Sequence, residues 1–238
     1  TGTLTGVQSA AREEGGDLSW SGVEPWYEAV RPGAELRLRL KPSVELAAVA
    51  NPDFSDVESD ATQLNLHQRV TWQRPENRDF FNTDADRFSD ELSTLYTRGI
   101  VQPLYGARLT GVSGPVTYGV LQVLDRAPSW SLDWGGTAGW NEEDVEGAIA
   151  STSFARMKVR VDNSDLGIVA AQKRLIGGSG ATNTVNGADL RVPLSPRVAF
   201  YGGAQASITT DAEDNATTGH RALVGFTNPS GASLRWTA

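Results

Sequence analysis

The sequence predicts an all-β chain: an antiparallel up-and-down transmembrane β-barrel, or a large fragment of one, with long loops on one side. Three observations lead there. Apolar and polar residues alternate with period two over much of the chain, as in a strand whose two faces meet different surroundings. The alternating segments run to about 9–11 residues, the length a tilted strand needs to cross a bilayer. The connections alternate short and long, which sorts the long loops to one end of the sheet.

The first strand is expected over 34–41, where Leu36, Leu38 and Leu40 oppose Glu35, Arg37, Arg39 and Lys41. Further strands follow over 44–50, 63–73, 104–112 and 115–124. Over 153–162, Ala155, Met157, Val159 and Val161 oppose Arg156, Lys158 and Arg160. After a strand over 165–175, Ala188, Leu190, Val192 and Leu194 oppose Asp189 and Arg191 within 185–194. In 197–208, Val198, Phe200, Gly202, Ala204, Ala206 and Ile208 oppose Tyr201, Gln205 and Ser207, and strands over 219–227 and 232–237 complete the series. A helical period would scatter these apolar residues around a cylinder. Short turns are expected at 113–114, 163–164, 195–196 and 228–231, with long loops at 74–103, 125–152, 176–184 and 209–218. This arrangement places 51–62 at the short-turn end, or folded into the lumen from it. Residues 1–33 read as an N-terminal extension and 34–238 as the barrel, carrying an acidic and aromatic segment at 51–103.

Composition narrows the function. The 238 residues carry a formal charge of -8, which argues against nucleic acid as a partner, because phosphate binding needs a basic excess. The chain has no cysteine, so a disulfide framework, a thiolate metal site and a thiol nucleophile are excluded. His67 and His220 lie far apart in sequence and give little support to a catalytic triad or a His-rich metal site. The chain opens at Thr1 without a signal-peptide pattern and reads as a processed product or an excised piece.

The basic residues Arg37, Arg39, Arg108, Arg156, Lys158, Arg160 and Arg191 share the polar faces of their strands. Each would cost about 2–4 kcal/mol facing lipid at mid-depth, so they are expected to line a polar lumen. Acidic residues gather in the loops. Asp53, Asp56, Glu58 and Asp60 are read as a brace or plug against those cations, and as a weak candidate Ca²⁺ site without the Gly-centred EF-hand spacing. No other cofactor is expected. Paired acids also serve glycoside hydrolysis, but any acidic loop offers them. Trp130, Trp134 and Trp140 punctuate the loop at 125–152 and are candidate glycan contacts, with a self-packed loop core or membrane-interface anchors as the plainer reading.

Two sequence words carry a family resemblance. One is Asn51-Pro52-Asp53-Phe54-Ser55-Asp56-Val57-Glu58-Ser59-Asp60; the other is Pro75-Glu76-Asn77-Arg78-Asp79-Phe80-Phe81. Tyr96-Thr97-Arg98 followed by Ile100, and then Leu109-Thr110-Gly111, extend the match in order. Over 33–111 the chain resembles a family of uncharacterised outer-membrane β-barrel proteins of Gram-negative bacteria. Their barrel commonly follows a domain similar to a family-nine carbohydrate-binding module. The family usually has Lys at Asn77, Pro at Asp79 and a second Arg at Gly99. Family barrels are longer than this chain, so the resemblance implies a fragment, or a short relative that needs partners to close.

The expected role is that of an outer-membrane barrel, a structural scaffold or a transport pore, with no chemistry of its own and not an enzyme. The alternative is a carbohydrate-binding or carbohydrate-processing cell-surface protein. The expected partners are outer-membrane lipid and either envelope protein chains or glycans.

Overall fold

A computed structural model describes residues 2–10, 30–52, 76–126, 148–177, 180–227 and 233–237. Among the described residues eleven strands form one antiparallel sheet in which each pairs with its neighbours in sequence. They are β1 (Gly2–Ala10), β2 (Val30–Lys41), β3 (Val44–Ala50), β4 (Pro103–Ser113), β5 (Val116–Asp125) and β6 (Ile149–Val161). The series continues with β7 (Ser164–Ile176), β8 (Thr182–Ser195), β9 (Val198–Thr210), β10 (Ala216–Thr227) and β11 (Ser233–Thr237). The helical content among the described residues is one turn, α1 (Asp79–Asn82), with two 3₁₀ turns at Ala85–Arg87 and Thr97–Gly99. The all-β, up-and-down expectation holds. Among the described residues no ladder joins β1 to β11.

Register decides the faces, because residues directly opposite one another in antiparallel strands share a side of the sheet. One row runs Leu38, Leu46, Leu109, Val120, Ala155 and Ala170 across β2 to β7. This outer face exposes large apolar side chains, among them Met157, Leu166, Ile168, Val224 and Phe226. The opposite row runs Ala47, Arg108, Leu121, Phe154, Ala171, Val185 and Ser207, and all seven are buried. The buried face therefore mixes apolar residues with Arg108, Asp125, Arg156, Lys173, Asn183, Asp189 and Gln205. A soluble sheet is patterned the other way round.

Several boundaries differ from the sequence reading. The strand expected over 63–73 lies outside the described residues, and β3 pairs directly with β4, Ala50 opposite Tyr105. The placement of 51–62 at the short-turn end is thereby corrected. Because β3 and β4 are antiparallel neighbours, the chain leaves β3 at the end where it enters β4, which is also the end at which β5, β7 and β9 finish. Gly2–Ala10, read as part of an extension, is a strand on β2 with Leu4 opposite Leu36. Strands β6, β8 and β10 also start three or four residues earlier than expected, at Ile149, Thr182 and Ala216. The added residues turn Ser151, Thr182, Thr184 and Thr218 outward, so pairing continues where the apolar alternation has already weakened. At the short end, Gly114 (φ 56) and Asp162 (φ 53) take the left-handed conformation that tight reversals require.

Candidate functional site

Apart from a single bridge at Ile100, the segment 76–102 stays out of the strand ladders and lies against the inward face as a plug. Three glycines on that face make the space. A Cβ on Gly106 would stand 3.0 Å from the Phe80 ring, one on Gly119 2.7 Å from Phe88, and one on Gly203 3.0 Å from Leu92. The plug thus touches β4, β5 and β9 with its three apolar anchors. Phe80 meets Phe81 edge to face at 5.0 Å, and Phe88 packs on Phe154 of β6 at 6.1 Å.

The beginning of the plug is built on Glu76 and Arg78. Arg78 donates from Nε to Glu76 Oε1 (2.8 Å) and from Nη2 to Glu76 Oε2 (2.7 Å). It also reaches the carbonyls of Ile100 (2.5 Å) and Thr97 (2.8 Å), tying the first residues of the plug to the last. Its guanidinium lies 4.4 Å from the Phe81 ring centroid. Burial pushes the Glu76 carboxyl up, but hydrogen bonds from Arg78 and Thr97 and the Arg78 charge outweigh it. The group is held below the usual carboxylate range. A depressed carboxylate pKa contributes stability that is present above the unfolded value and lost as pH falls through the folded one. Glu76→Gln is therefore expected to flatten the acid limb of a pH–stability curve measured by denaturant unfolding. An unchanged acid limb would show that the Glu76–Arg78 pair contributes nothing.

Charge pairs fasten the plug to the wall. Arg108 donates to the Thr83 carbonyl and, at 3.0 Å, to Glu45 on β3. Thr110 donates to Asp84 at 2.7 Å. On the far side Arg156 Nη2 reaches both oxygens of Asp189 (2.9 and 2.8 Å), and Asp189 also accepts the Glu91 backbone N–H at 2.9 Å. Arg191 pairs with Glu91 at 3.2 Å, Thr94 donates to Gln205 at 3.0 Å, and Arg221 donates to the Leu92 carbonyl at 3.2 Å. The return to β4 is held by Asp125, which accepts the N–H groups of Val101 and Gln102, both at 2.8 Å. The contacts reach from β4 to β10, so the sheet wraps around the plug.

The sequence-selected residues fall as follows. Glu76, Arg78, Phe80 and Phe81 come together in the plug. Asn51 and Pro52 follow directly on β3, with the Asn51 N–H donating to the Leu104 carbonyl at 2.7 Å. Arg37 pairs with Glu35, while Arg39 is exposed on the same inward face. Arg108 and Arg156 are buried against the plug; Lys158 is half-buried; Arg160 pairs with Asp165 at 2.8 Å near the turn end. Asp53, Phe54, Asp56, Glu58, Asp60, Pro75, Trp130, Trp134 and Trp140 lie outside the described residues. Among the described residues no group of three acids or histidines is placed to hold a metal.

Sequence reasoning missed Glu45, Glu91, Asp125, Asp189 and the three glycines. Asp189 carried a signal, being an acid that alternates with outward apolar residues on a strand opposite basic ones. The glycines carried none, since what they accommodate is nearby only in three dimensions.

No protein-family model matches the chain, and no curated protein matches it. Among solved structures it is similar to OmpTdeltaL8, a loop L8 deletion mutant of OmpT, an outer membrane protein of Vibrio cholerae. That likeness covers 100% of this chain and 71% of the other, at 8% identity and a TM-score of 0.47. The expectation that the chain is not an enzyme is withdrawn: chemistry resides in side chains grafted onto a fold, and an antiparallel sheet of this kind gives no ground for the exclusion.

Proposed function

We propose that this chain forms an outer-membrane β-barrel wall whose lumen is occupied by the segment 76–102, in a scaffold or transport role. The observation that carries the reading is the inversion of the sheet. Its outer face shows Leu40, Ile168, Ile208 and Trp236 more than half exposed, while charged pairs are buried on its inner face. Water gives no reason for such a pattern; a hydrocarbon surround does.

Dimensions support it. From Val198 to Ile208, β9 presents only apolar or glycine residues outward. Ten steps of about 3.4 Å, tilted by about 40°, span about 26 Å, close to the apolar band of outer-membrane barrels. Tyr105 lies near the long-loop end, and Phe200, Phe226 and Trp236 lie toward the other, as interface aromatics do. Gln122, Ser153, Gln172 and Thr184, hydrogen-bonded in two clusters on the outer surface, mark where the band ends on the long-loop side.

Refolding is the test. Diluted from urea into phosphatidylcholine vesicles, the full chain is expected to gain its β signal and resist SDS until boiled. Equal gain in buffer without lipid, as a soluble monomer, would overturn the reading.

A further inference from the structure

We propose that the interface between plug and wall holds a binding site for a small, uncharged carbonyl compound with an apolar body. A cavity of about 140 Å³ lies there. Its walls are Phe80, Phe81, Phe88, Leu95 and Leu121, and Ala85 and Ser89, both exposed, form its mouth. A dry apolar cavity of about 150 Å³ suffices to take up benzene.

The polar end of the cavity defines the chemistry. Arg108 lines it and is only 2% exposed. Its two terminal nitrogens are occupied by Thr83 and Glu45, but its Nε–H has no partner among the described residues. A buried donor left unmade is costly, so an acceptor delivered there is strongly favoured. The acceptor is best uncharged. Glu45 already neutralises Arg108 and Arg78 already neutralises Glu76, so an incoming carboxylate would bring in a buried charge with no counter-charge left to meet it. A carbonyl oxygen accepts the Nε–H without that repulsion, while an aromatic body packs edge to face among the three phenylalanines.

The inference rests on the packing of 76–102 and not on the membrane reading. Its test uses the folded full chain in deuterated detergent, with saturation-transfer NMR of acetophenone, of its near-isostere ethylbenzene, and of benzoate. Partition into micelles is common to all variants, so differences between variants report the site. Acetophenone is expected to bind at least ten times more tightly than ethylbenzene, and benzoate not at all over the same range. Ala85→Phe, a change at an exposed mouth position, should abolish the acetophenone signal while the thermal midpoint stays in place. No acetophenone binding, equal binding of ethylbenzene or benzoate, or binding unaffected by Ala85→Phe would each overturn the site.

Discussion

Asp189→Asn is expected to be among the most damaging single changes, lowering the unfolding free energy by about 3–5 kcal/mol. The side chains of Arg156 and Asp189 are 4% and 5% exposed, so the pair is dry. Asparagine keeps the volume and can still accept the Glu91 N–H, but it leaves the Arg156 guanidinium buried without a counter-charge. Arg156 Nη1 already lacks a hydrogen-bond partner, so the residue has no spare contact to fall back on. Urea unfolding in micelles measures the loss. Asp165→Asn is the control, because its partner Arg160 is 64% exposed and water replaces the carboxylate. That variant should unfold with the wild type. Equal effects of the two substitutions would mean that burial of the Arg156–Asp189 pair is immaterial.

Gly119→Val is expected to release the plug and raise conductance several-fold in planar bilayers. The added Cβ would sit 2.7 Å from the Phe88 ring, which is itself wedged on Phe154. Overpacking of this kind costs about 1–3 kcal/mol, and a plug held by scattered hydrogen bonds can yield where a ladder of strands does not. Gly202→Val makes the comparison. Gly202 faces outward, and its added Cβ would find the Leu223 carbonyl at 3.4 Å and Val224 at 3.5 Å, ordinary contact distances. Its conductance should remain that of the wild type. If Gly119→Val and Gly202→Val conduct alike, 76–102 is not what fills the lumen.

The wall was legible in the sequence because each strand declares its two faces locally. Leu36-Arg37-Leu38-Arg39 and Met157-Lys158-Val159-Arg160 state which side meets which surroundings without reference to any other strand. The plug was half legible. The word at Pro75–Phe81 drew notice, and the brace expected at 53–60 lies outside the described residues; among those described, Glu45, Asp189 and Glu91 sit on the wall cations Arg108, Arg156 and Arg191. Local charge counting does not single out 76–102, since both segments are acidic and only the inward glycines show where a ring fits. Strand ends were misjudged for a related reason. Gln172, Arg174, Thr184 and Asn186 break the apolar alternation outward, yet the ladder between β7 and β8 runs on to Arg174 opposite Thr182. Backbone pairing outlasts the lipid-facing pattern once the strands emerge from the band.

Site-directed spin labelling tests the orientation of the wall most directly. Labels at Leu38, Val159, Leu190 and Phe200 lie on the outward rows, and labels at Arg39, Arg160 and Arg191 on the inward rows. In reconstituted vesicles, oxygen dissolved in lipid should relax the first set more strongly, and a water-soluble nickel chelate the second. Equal accessibility of the two sets, or their reversal, would contradict a lipid-facing outer surface.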